Sequence, residues 1–130
     1  MAGLAKSNVD TDLLIVGGGL VGLSLALSVA RAGLRALVVD RDTPENSTRM
    51  LTDGRVSSIA AGSANMFEAL GVWQVVSDEA QPIYQIRVSD GDSPRFLDYD
   101  SADLGGRPMG HIVENRRLRK ALHWAVEAED

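Results

Sequence analysis

The chain has 130 residues, one domain's worth, with 45% hydrophobic and 24% charged side chains, the balance of an ordinary globular protein. A formal net charge of -5 argues against a nucleic-acid or other polyanion partner, which calls for a basic face. The absence of cysteine excludes a disulfide framework, thiolate metal ligands and a cysteine nucleophile.

Residues 13–30 are uncharged and superficially resemble a signal peptide or a membrane span. Asp10 and Asp12 stand where a signal peptide carries basic residues, with Lys6 the only earlier basic side chain. Gly17, Gly18, Gly19 and Gly22 lie inside the run, and each costs a helix about 1 kcal/mol relative to alanine. The run is therefore two buried elements with a break between them. Asp12–Val16 predicts a buried strand of the parallel type, Leu20–Ala32 a helix stopped by Gly33, and Arg35–Asp40 a second buried strand. In that order, with short joints, they make a βαβ unit with parallel strands.

The joint reads Gly17-x-Gly19-x-x-Gly22, with Ala26 one turn on. Gly17 allows a sharp turn off the strand, Gly19 leaves the main chain open to a diphosphate, and Gly22 and Ala26 let the helix lie close to the sheet. Exposed amides and the positive end of the helix dipole suit phosphate. Asp40, 23 residues after Gly17, is placed to accept hydrogen bonds from an adenosine ribose. Together these predict a dinucleotide site. The plainer alternatives are incidental glycines in a βαβ unit and a solvated carboxylate at a strand end.

Farther along, residues 41–52 form a polar loop containing Pro44. Ile59, Met66, Phe67 and Leu70 fall on one helical face that Gly71 ends. Ile83–Ser89 and Arg95–Tyr99 predict a hairpin across the turn Asp90–Pro94. Met109–Val113 predicts another strand, and Leu118, Ala121, Leu122, Ala125 and Val126 an amphipathic helix. The fold class is α/β: a Rossmann-like dinucleotide-binding region, with a parallel sheet and flanking helices, plus the start of a β-rich region. A doubly wound sheet wants further parallel strands, so the expectation is a single region, 1–130, forming the N-terminal part of a larger protein.

Three stretches carry a family resemblance: DLLIVGGGLVGLSLAL with VVD closing the second strand, DGRVSSIA from Asp53, and GHIVENRRLRKAL from Gly110. Together they resemble the flavoprotein aromatic hydroxylases, in their ubiquinone-biosynthesis branch. The resemblance implies FAD in the glycine-rich site. It also implies NAD(P)H and O2 as cosubstrates and one oxygen atom passed to a polyprenylated phenol or benzoquinol ring. The hairpin 83–99 would belong to, or lead toward, the substrate domain.

The residues expected to bind the cofactor are Gly17, Gly18, Gly19, Leu20, Val21, Gly22, Asp40, Arg41, Arg55 and Arg116, of which the resemblance matches Gly17, Gly19, Gly22, Asp40 and Arg55 one by one. Arg55 matches an arginine near the flavin's phosphate and ribitol side, where a guanidinium forks onto oxygens; its alternative is an ion pair with Asp53. Arg116 and Arg117 open a helix against its dipole, which suits either an anionic partner or a solvated helix start. Glu114 there compensates the dipole. His111 lies in the third stretch, where a flavin contact is open, and His123 has no nucleophile or metal set beside it. No catalytic residue and no metal site is assigned. The family's later Gly-Asp-Ala motif is absent, so the chain alone is expected to lack hydroxylase activity and to hold FAD weakly. A cytoplasmic location is expected, with docking at the inner membrane limited to the periphery, and other ubiquinone-biosynthesis proteins are candidate partners. The rival readings are another FAD- or NAD-linked oxidoreductase with the same start, and a dinucleotide-binding module without catalysis.

Overall fold

The computed structural model describes residues 11–49 and 54–129. Strand β1 (Leu13–Val16) and strand β2 (Ala36–Val39) pair in parallel, from Leu13 opposite Ala36 to Val16 opposite Val39. Helix α1 (Leu20–Arg31) connects them. This is the βαβ unit of the sequence, with β1 one residue and β2 two residues shorter than expected.

One face of the pair carries Ile15, buried, and Val38; the other carries Leu14, Val16, Leu37 and Val39, all exposed. Parallel sheets are normally covered on both faces, and among the described residues a helix packs on one only. Two carboxylates tie the strand pair at its ends. Asp12 Oδ2 accepts the Arg35 N–H at 2.8 Å at the start, and Asp40 Oδ2 accepts the Gly18 N–H at 2.5 Å at the finish.

Helix α2 (Pro44–Arg49) occupies part of the segment expected to be loop. The Thr43 hydroxyl accepts the Asn46 N–H at 3.3 Å, and proline follows at the first helical position, a favourable start that a polar composition masks. Met50, Leu51 and Thr52, the end of the expected loop, lie outside the described residues. Strand β3 (Val56–Ala60) is followed at once by helix α3 (Ala61–Ala69). Ile59 is therefore on a strand and Met66 is 40% exposed, so the helical face drawn through both is corrected. Helical spacing linked residues on either side of a strand-to-helix joint at Ala60, where the backbone is extended (ψ 153°). Gly71, in the left-handed region at φ +63°, does end the turn.

Helix α4 (Trp73–Val76) leads through a short 3₁₀ turn to strand β4 (Gln81–Ile83). Strands β5 (Gln85–Ser89) and β6 (Phe96–Asp100) form an antiparallel hairpin with Gln85 opposite Asp100 and Ser89 opposite Phe96. The strand drawn as 83–89 is thus two strands: Ile83 belongs to β4, which pairs elsewhere. Strand β7 (Gly110–Glu114) lies between β3 and β4, antiparallel to both, and runs into helix α5 (Asn115–Glu127).

The core lies where α1 packs against α5, α5 meets α4 and β7, and α3 packs on α4 and β7. Leu27, Val72, Val76, Leu118 and Leu122 are its fully buried side chains, each contributing about 1.5–3 kcal/mol. The pattern Leu118, Ala121, Leu122, Ala125 is an apolar stripe at helical spacing, and all four are buried as expected. The hairpin β5–β6 stands outside this core with nearly every side chain exposed. Its polar face is held by Arg87, which forks onto Asp98 at 2.7 and 2.9 Å and lies 4.2 Å over the Phe96 ring.

Candidate functional site

The site forms where β1 delivers the chain to the carboxyl end of the strand pair. The Gly17 N–H donates to Val39 O at 2.8 Å, and Gly17 turns at φ +109°, a conformation that side chains disfavour. At Gly22 a Cβ would stand 1.9 Å from Gly17 O, so only glycine lets α1 start so close to the strand end. Ala26, next along that side, is buried. At Gly19 a Cβ would meet nothing within 4 Å. That space is open for a ligand to reach the main chain.

Gly19 also caps α1. Leu23 N–H donates to Gly19 O at 3.0 Å, no side chain caps the helix, and its first turn carries no acid. The amides of that turn have no partner within the helix, and the dipole is positive there. Val21 is exposed on the same turn. An anion with two phosphates fits this donor set.

Asp40 closes the other side. Its Oδ1 accepts the Asp42 N–H at 2.8 Å, and its Oδ2 accepts the Gly18 N–H. These bonds, Asp42's first, hold the carboxyl below its ordinary range, helped by the Arg41 charge. Arg41 itself is almost fully exposed, 3.5 Å from Asp42. A cleft of about 400 Å³ opens beside Gly18 and Asp40 and is walled by Leu23, Thr43, Pro44 and, from α5, His123 and Glu127. Burial pushes the His123 imidazole below its usual range, against the pull of Glu127, Asp40 and Glu45. Nothing in the local sequence joins His123 to Asp40, since it is the packing of α5 that brings it there.

The remaining sequence candidates gather elsewhere. Arg55 precedes β3, and its carbonyl accepts the Asn115 N–H at 3.0 Å, which sets Arg55 beside the start of α5. There Arg116 lies 3.7 Å from Glu114, and Arg117 pairs with both Glu79 and Glu114. Glu114 thus lies beside two arginines, and its side chain makes no capping hydrogen bond to α5. His111 packs edge-on against Trp73 with ring centres 4.9 Å apart. Asp53 lies outside the described residues. The site residues thus fall into two groups: Gly17–Gly22 with Asp40 and Arg41, and Arg55 with Arg116. Among the described residues no cluster of His, Asp and Glu could hold a metal, and no helix is long and apolar enough to cross a membrane.

Residues 10–129 match the family described as the FAD binding domain. The chain belongs to that family. FAD is therefore the cofactor that this membership indicates. This FAD-binding domain is 47% identical over 111 residues to the ubiquinone hydroxylase UbiL of Rhodospirillum rubrum, covering 85% of the chain and 26% of that protein. It is 33% identical over 124 residues to the 3-demethoxyubiquinol 3-hydroxylase of Escherichia coli, covering 94% of the chain and 32% of the relative. The chain thus spans between a quarter and a third of the length of these relatives. Among solved structures, a variant of Pseudomonas aeruginosa PqsL superposes with a TM-score of 0.67 at 25% identity, over 92% of this chain and 31% of the other. The p-nitrophenol 4-monooxygenase PnpA of Pseudomonas putida, at 17% identity and a TM-score of 0.62, over 90% of this chain and 28% of the other, shares the fold.

Proposed function

We propose that this FAD-binding domain serves a flavin-dependent monooxygenase that hydroxylates an aromatic ring with NAD(P)H and O2, the substrate being a polyprenylated phenol or benzoquinol of ubiquinone biosynthesis. The carrying observation is the turn itself: Gly17 at φ +109°, the open approach at Gly19, and the contact at Gly22 that only glycine permits. Its likeness to two ubiquinone-pathway hydroxylases supports the branch.

In this reading Gly17–Gly22, with the amides of Leu20 and Val21, hold the diphosphate, while Asp40 and Arg41 border the adenosine end. Arg55 and Arg116 supply positive charge toward the ribitol side. When bound, FAD supplies the redox and oxygen-transfer chemistry, and the protein supplies position and electrostatics. The hairpin β5–β6 belongs to the substrate side, and any membrane contact is peripheral.

The test is FAD binding by the full-length protein, followed by flavin fluorescence quenching, with Gly19→Val as comparison. Wild-type binding with a loss of at least tenfold in the variant is expected, since a branched side chain would fill the approach. Equal binding by both would overturn the assignment. NADPH oxidation coupled to ring hydroxylation is expected of the full-length protein and not of residues 1–130 alone.

A further inference from the structure

Helix α5 covers the core with one face, through Leu118, Ala121, Leu122 and Ala125, and turns Lys120, Trp124 and Glu127 outward. Trp124 is 64% exposed, although few side chains have more apolar area to bury. It stands on a ridge between two grooves. The first, about 480 Å³, lies against α4 and is walled by Val75, Arg117, Lys120, Ala121 and Trp124. The second, about 230 Å³, lies against α2, which contributes Pro44 and Glu45. Val75 is itself 49% exposed and widens the apolar surface.

Charge along α5 is sorted by position. Arg116, Arg117, Arg119 and Lys120 fill its first half, Glu127 closes it, and Glu129 follows just beyond. Cations at the start and an acid at the end both oppose the helix dipole. Within the chain, Glu114 and Glu79 answer Arg116 and Arg117, and Arg31 answers Glu129. Lys120 and Glu127 stand seven residues apart, about 10 Å along the axis and too far to pair with each other.

We infer that the outward face of α5 is a docking surface for a second copy of this chain, the two α5 helices lying antiparallel about a two-fold axis. That orientation sets each basic half against the partner's acidic end, whereas a parallel one sets like against like. With Lys120 opposite the partner's Glu127, the axis passes between His123 and Trp124. Both Trp124 rings then fall at the centre of the contact, where binding energy concentrates. The two-fold makes each ion pair twice. An anionic membrane fits this face less well, because it would meet Glu45 and Glu127 on a chain of net charge -5.

The test is sedimentation equilibrium of the full-length protein over a range of concentrations. A reversible dimer is expected. Lys120→Glu or Glu127→Lys should raise its dissociation constant at least about tenfold, because each sets like charges together on both sides of the axis. The double exchange, Lys120→Glu with Glu127→Lys, should return the constant to within about threefold of the wild type. Trp124→Ser should weaken the dimer by about thirtyfold or more. Its thermal midpoint in dilute solution should match the wild type, which separates lost association from lost folding. A wild type that stays monomeric at every concentration overturns the proposal, in favour of another partner or a later segment of the same protein on this face. A dimer indifferent to all the variants also overturns it, since its interface lies elsewhere. Failure of the double exchange to restore association overturns the antiparallel pairing. If Glu127→Lys fails to fold, Lys120→Glu and Trp124→Ser carry the test.

Discussion

The two faces of the β1–β2 pair make an instructive contrast. On one, Ile15 packs toward α1, and α1 in turn meets the buried stripe of α5. On the other, Leu14, Val16, Leu37 and Val39 stand in a patch about half exposed or more. The same kind of side chain, on the same four-residue strands, is anchored on one side and idle on the other. Hydrophobic sequence therefore marks where burial is wanted, and the partner element decides where stabilisation is gained. The hairpin β5–β6 repeats the lesson, with Ile86 opposite Tyr99 and Val88 opposite Leu97 on an exposed apolar face.

Substitutions can sharpen or break that contrast. The largest loss is expected on the covered side: Leu27→Ala or Leu122→Ala, each fully buried, should cost about 2–5 kcal/mol in urea unfolding. A cost below about 1 kcal/mol would mean that the α1–α5 layer is not the core. Next comes Gly22→Ala, whose new methyl meets Gly17 O. It should cost about 1–3 kcal/mol and weaken FAD as well, whereas Gly19→Ala should leave stability within about 0.5 kcal/mol. Equal stability of the two variants would contradict the packing described.

Acid supplies a smaller effect. Asp12 and Asp40, which tie the two ends of the strand pair, both have carboxyls held below the ordinary 3.8, Asp12 chiefly by the Arg35 N–H and Asp40 chiefly by the Asp42 N–H. A carboxyl depressed in the folded state stabilises fully above its unfolded value, and the benefit fades as pH falls through the lower folded value. Thermal midpoints should be level from neutral pH to about 5 and drop below about 4, with a shallower drop in Asp12→Asn. The smallest effect belongs to the bare face, where Leu37→Ser should change stability by under about 0.5 kcal/mol. A loss of several kcal/mol there would mean that this face is covered in solution.

The glycine turn was legible in the sequence because each of its demands is local. A left-handed residue, an open main chain and a close helix start each map onto one glycine at a fixed spacing. The apolar stripe of α5 was legible for a similar reason, since its period declares its buried face. Ile59 misled because a few apolar residues spread over a joint satisfy a helical period by chance. Helix α2 was missed because its Thr43–Pro44 start lies in a polar stretch with no apolar face to announce it. The engagement of Asp40, and the approach of His123 to it, depend on how β2 and α5 pack, which no local pattern records.

The two carboxylate ties share a property with an evolutionary consequence. Each grips a peptide N–H, a group that every residue except proline possesses. Positions 18 and 35 can therefore drift in chemical identity while the connection survives, whereas the acids at 12 and 40 have few substitutes. Related chains should vary freely on the donor side, proline aside, and hold firm on the acceptor side.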